Sequence, residues 1–99
     1  MIIVSQDKEN IINFERADLI NVYKAEKKQV VAWFSCNESE DNNVLLGVYA
    51  TEERAKEVLK EIVQCYANTE QYKCICNTAN AEFLNDLLEN AFIYAMPEK

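Results

Sequence analysis

Histidine is absent from this 99-residue chain, and glycine and proline occur once each. Without histidine there is no Ser–His–Asp triad and no imidazole to move protons. With one glycine there is no glycine-rich phosphate loop, and GxSxG, HExxH and GxGxxG are missing as well. No apolar run reaches the roughly 20 residues that span a bilayer. No hydrophobic leader precedes Ser5-Gln6-Asp7, so the cytosol is the expected setting. Bases are scarce: 10 against 17 acids leave a formal charge of −7. Phosphates repel such a surface, which argues against direct DNA or RNA binding.

What is present fits one folded domain over residues 1–99. Apolar residues at 49% and charged residues at 27% place the chain among globular sequences rather than disordered ones. The four cysteines are Cys36, Cys65, Cys74 and Cys76. Reducing conditions keep them as thiols. Cys74-Ile75-Cys76 is CxC, not the CxxC pair of a zinc site, so the cysteines read as small core residues and no metal is expected. No cofactor is expected either, and the chain does not read as an enzyme.

The pattern predicts an α+β fold: an antiparallel β-meander with one long helix and a second, shorter helix packed on one face. Strands are expected at Met1–Val4, Ile11–Phe14, Leu19–Tyr23, Gln29–Ser35, Val44–Tyr49 and Phe92–Met96. Gly47, inside a strand, marks a bulge or a close approach. Thr51 caps the main helix, and Glu52 and Glu53 suit its positive start. Ala55, Val58, Leu59, Ile62, Cys65 and Tyr66 recur on one face of it, with Asn68 as a plausible stop. The stretch after Asn68 is ambiguous, and Tyr72–Cys76 fits a short strand. Asn80 could cap the second helix, with Phe83, Leu84, Leu87 and Leu88 inward.

Half-buried strands alternate apolar and polar residues. Here Val30, Ala32 and Phe34 face one way and Val31 and Trp33 the other. Likewise Val44, Leu46 and Val48 oppose Leu45 and Tyr49. Both faces are apolar, and two helices cover only one. A second subunit is the simplest cover for the other, so a homo-oligomer is expected. The competing cover is the N-terminal hairpin folded back.

The scarce bases sit near aromatics. Arg16, Lys24, Lys27 and Lys28 flank the early strands, beside Phe14, Tyr23 and Trp33. Arg54 stands in the first turn of the main helix, close to Tyr49, where free N–H groups favour an anion. Arginine beside an aromatic ring holds phosphate and base together. The candidate ligand-binding residues are therefore Arg54, Arg16, Trp33, Tyr49, Phe14, Tyr23 and Lys28, for a small anionic nucleotide. Each also has a plainer role: a solvated turn for the lysines, core for Trp33, pairing with nearby acids such as Glu57 for Arg54.

Several stretches carry a resemblance. Ile3-Val4-Ser5-Gln6-Asp7, Leu46-Gly47-Val48-Tyr49, Thr51-Glu52-Glu53-Arg54-Ala55, Tyr66 and Ile93-Tyr94-Ala95-Met96-Pro97 together resemble small proteins of phages and prophages of Gram-positive bacteria. Within that set the chain is most similar to the Thoeris anti-defence sponges. That resemblance implies binding of cyclic ADP-ribose-type signals, with hexamers and cyclic oligonucleotides in some members. It also implies sequestration without cleavage. The alternative is an acidic inhibitor that mimics nucleic acid and blocks a host protein such as a nuclease, with Glu38-Ser39-Glu40-Asp41 as its contact.

Overall fold

In a computed structural model, which describes residues 1–35, 42–75 and 81–99, the chain is α+β. The strands are β1 (Ile2–Val4), β2 (Ile11–Asn13), β3 (Leu19–Val22), β4 (Gln29–Trp33), β5 (Asn43–Val48) and β6 (Ile93–Ala95). The helices are α1 (Glu52–Ile75) and α2 (Ala81–Glu89), and a short 3-10 turn spans Phe14–Arg16. One sheet has the order β2-β1-β6, with β1 antiparallel to β2 and parallel to β6. The other is the antiparallel meander β3-β4-β5.

One core joins the pieces. Ile3 and Ile12 from the first sheet, Val30, Ala32 and Leu46 from the second, Ala55, Val58 and Ile62 from α1, and Met96 all pack together. α1 lies on β3, β4 and β6, and α2 packs on α1. The buried face of α1 runs through Ala55, Val58, Ile62, Cys65 and Thr69 at helical spacing. Thr51 caps it: its Oγ1 accepts from the Arg54 N–H at 3.1 Å.

Asn68 does not stop this helix, which continues for seven more residues and absorbs Tyr72–Ile75. Asn68 Nδ2 instead donates to the Asn90 carbonyl at 3.0 Å. Thr69 Oγ1 donates to the Cys65 carbonyl and accepts from the Phe92 N–H at 2.7 Å. Polar residues that read as a helix end are used to hold the α2–β6 connection. Phe92 sits there at φ 69°, with its ring edge-on to Tyr72, and so precedes the strand that begins at Ile93. In α2 Leu87 is buried, whereas Phe83 and Leu88 are exposed, contrary to the inward face expected of them. Cys65 is buried and Cys74 exposed, so Cys74 is not a core residue. Cys36, Cys76, Asn80 and Glu38–Asp41 lie outside the described residues.

Gly47 does both things expected of it. The β4–β5 register jumps from Val30–Gly47 to Val31–Leu45, leaving Leu46 as the extra residue of a bulge. A side chain at Gly47 would meet the Tyr49 ring, with a Cβ 2.8 Å from the hydroxyl. The extra residue also resets the alternation beyond it. Val48 therefore turns outward, opposite Gln29, and Tyr49 turns into the core at 3% exposed. Two residues thus exchange the faces that simple alternation assigns them: Tyr49 is inward rather than beside Leu45, and Val48 is outward rather than beside Leu46.

Candidate functional site

Two aromatic clusters contain most of the residues proposed to bind a ligand, and they lie on opposite faces of the second sheet. The first is built on Tyr49. Its hydroxyl donates to the Pro97 carbonyl at 2.9 Å, and the Arg54 guanidinium stands over its ring at 5.9 Å. Arg54 is engaged through two of its three nitrogens. Its Nη1 bonds Glu57 at 3.1 Å and Glu61 at 2.9 Å, and its Nε donates to the Lys99 carbonyl at 3.1 Å. Glu61 accepts from the Tyr94 hydroxyl through its other oxygen at 3.0 Å. Burial, then the bond to Glu61, pushes the Tyr94 phenol well above its usual range, and burial raises Tyr49 as well. The bonds to Glu61 and Glu57 hold the Arg54 guanidinium all the more firmly charged. This cluster ties α1 to the C-terminal segment and commits Arg54 Nε and Nη1 to acceptors within the chain. The plainer role for Arg54, pairing with its own helix, is the one the geometry supports.

Gln6 completes that junction. Its backbone N–H donates to the Leu46 carbonyl at 2.7 Å, its Oε1 accepts from the Val48 N–H at 2.9 Å, and its Nε2 donates to the Val48, Pro97 and Glu98 carbonyls. One carboxamide thus stands in for a strand along the outer edge of β5. Ser5 and Asp7 shape the turn beside it: Ser5 Oγ donates to Asp7 Oδ1 at 2.5 Å and accepts from the Asn10 N–H. The Ser5 hydroxyl, and then the Glu9 N–H that also donates to Asp7 Oδ1, hold the Asp7 carboxyl below the usual range. The Ser5-Gln6-Asp7 stretch is structural.

The second cluster is open. On the outer face of β3-β4-β5, Tyr23 and Trp33 approach with ring centroids 5.9 Å apart and planes tilted by 43°. Trp33 Nε1 donates to Asn21 Oδ1 at 2.9 Å, which fixes the indole. Tyr23, Gln29, Val31, Trp33, Asn43 and Leu45 line a shallow cavity of about 160 Å³. The β3–β4 turn at one end of this face carries Lys24, Lys27 and Lys28, all exposed, against one acid, Glu26. None of the three lysines forms an ion pair among the described residues.

No family model, curated protein or solved structure matches the chain.

The candidate residues therefore divide. Tyr23, Trp33 and Lys28 belong to the open face and its turn. Tyr49 and Arg54 are brought together, Tyr49 buried in the core and Arg54 at the surface against Glu57 and Glu61. Phe14 stacks on Tyr66 at 4.9 Å, away from both. Arg16 is exposed at the opposite end of β3 from Lys28, and no contact joins it to Arg54. Asn21, Gln29 and Asn43 were missed. The signal for them was register: pairing β3 with β4 places Asn21 opposite Val31, one step from Trp33. Among the described residues no group of three or more Cys, Asp or Glu could hold a metal ion, and no helix is long and apolar enough to cross a membrane.

Proposed function

We propose that this chain is a non-catalytic binding protein that withholds a cyclic nucleotide signal, as the Thoeris anti-defence proteins it resembles do. The base stacks on the Tyr23–Trp33 face and the phosphates lie toward Lys24, Lys27 and Lys28. The observation that carries this reading is the fixed, solvent-facing Tyr23–Trp33 pair beside three lysines that form no ion pair among the described residues. Aromatic faces hold bases by stacking, and nearby cations hold phosphate without reading sequence. Gln29 and Asn43 supply amides at the cavity's rim for the edge of a base.

The cavity is smaller than the roughly 300 Å³ at which pockets begin to enclose a whole ligand. It seats one ring system and leaves its other side open. A second copy laid over Leu45 and Val48, each about half exposed, would close it. The proposal therefore includes a homo-oligomer with ligand held between subunits.

Trp33 is the sole tryptophan, so its fluorescence reports this face alone. Titration with cyclic ADP-ribose isomers and cyclic dinucleotides should quench it. Trp33→Ala should abolish binding, and Lys28→Ala should weaken it by about tenfold or less, since a phosphate–lysine contact contributes roughly 1 kcal/mol at an exposed site. No quenching and no thermal shift with any member of the panel would remove this reading and favour the acidic inhibitor.

A further inference from the structure

The two edges of the second sheet are finished differently. Gln6 seals the β5 edge with both its backbone and its carboxamide. The β3 edge has no strand partner among the described residues. The Tyr23 N–H donates inward to the Gln29 carbonyl at 2.9 Å. Alternate residues of an antiparallel pair face the partner. Leu19 and Asn21 therefore point toward β4 as Tyr23 does, and Ile20 and Val22 turn their N–H and C=O groups out to the open edge.

Directly beside that edge is an apolar cleft. It has a volume of about 300 Å³ and runs between the start of β3 and α1, walled by Phe14, Leu19, Ile20, Leu59, Ile62 and Val63. Val63 is 65% exposed at its lip, more than a core-facing residue would be. Asp18 is the only charged group lining the cleft, and its carboxylate has no partner among the described residues.

We infer that this edge and cleft form a docking site for an extended segment of a partner protein, one large apolar side chain with a basic residue close by. An unpaired edge strand recognises the backbone of an extended peptide, and a neighbouring pocket recognises its alternate side chains. Four residues of β3 limit the pairing to about 13 Å, a short segment rather than a whole strand of a sheet. Asp18 and the net charge of −7 favour a basic flank. The site is separate from the Tyr23–Trp33 face and does not depend on nucleotide binding.

The probe is a fluorescein-labelled octapeptide of alternating valine and threonine with a central leucine and a lysine at each end. Anisotropy should show saturable binding, and amide shifts should move at Ile20, Val22 and Val63. Methylating the alternate peptide nitrogens, which leaves the protein untouched, should weaken binding by at least about tenfold, the worth of two lost hydrogen bonds. Val63→Asp, at an exposed position, should do the same by charging the lip of the cleft. Equal binding of the methylated peptide, or none by the parent peptide, overturns the inference. So does a free protein that sediments as a dimer with the Ile20 and Val22 amides already protected, because a second copy would then hold the edge.

Discussion

The Tyr49 and Tyr23 clusters use the same chemical parts, a tyrosine near cations on one sheet, and end in opposite states. Around Tyr49 the polar groups bond one another: Arg54 Nε and Nη1 go to Lys99, Glu57 and Glu61, and the two phenols to Pro97 and Glu61. Around Tyr23 the rings face solvent and the lysines have no ion-pair partner among the described residues. A cation next to an aromatic is evidence of a site only when the cation has no nearer carboxylate. On α1, Glu57 and Glu61 lie three and seven residues after Arg54, on the same face of the helix.

The comparison breaks most severely at the rings themselves. Tyr49→Ala removes a buried side chain from the core and should cost about 3–5 kcal/mol, the range for large aromatic-to-alanine changes. Trp33→Ala, at a partly exposed ring, should cost clearly less while abolishing ligand quenching. Urea unfolding of both variants gives the ordering. The reverse ordering would mean that the outer face, not Tyr49, is the structural one.

A smaller effect separates the clusters by pH. The Tyr94 phenol is raised above its ordinary value near 10 in the folded state, chiefly by burial and then by Glu61. A group whose folded pKa is raised contributes stability that is complete below the unfolded value and lost as pH rises beyond it. Stability should therefore fall above about pH 10, with tyrosinate absorbance appearing late. Tyr94→Phe should be less stable at neutral pH yet lose less between about pH 9 and 11. Tyr49, raised in the same direction, keeps part of that slope in the variant. An unchanged alkaline slope would show that Tyr94 is not held buried against Glu61 in solution.

How far the sequence carried these conclusions depended on range. The strands, the Thr51 cap and the inward stripe of α1 rest on local periodicity, and they were legible. Gly47 signalled a bulge, but not which residue became the extra one, and that alone decides whether Val48 or Tyr49 faces the core. Asn68 looked like a helix end because its side chain competes locally for backbone; its partner, Asn90, is 22 residues away. Gln6 read as a turn residue, and its role as an edge seal depends on Val48, 42 residues on. At the candidate site the aromatics were legible and their partners were not. Whether a base is free is a property of what the fold brings beside it.

The smallest and sharpest test is Arg54→Ala. Sequence reasoning made Arg54 the first phosphate contact, whereas its geometry makes it a strut between α1 and the C-terminal segment. The two roles separate cleanly. As a phosphate contact, its loss would weaken nucleotide binding by about ten- to a hundredfold with little change in stability. As a strut, its loss should leave Trp33 quenching unchanged and lower the Tm slightly. That loss should fade in high salt, because ion pairs at the surface are screened and contribute little. Arg54→Lys distinguishes further: a lysine keeps the charge beside Glu61 but cannot reach Glu57, Glu61 and Lys99 at once. It should therefore recover only part of the Tm difference. Lost binding in Arg54→Ala, with the fold intact by near-UV circular dichroism, would move the site back to the helix start. The Tyr23–Trp33 face would then be an interface between subunits alone.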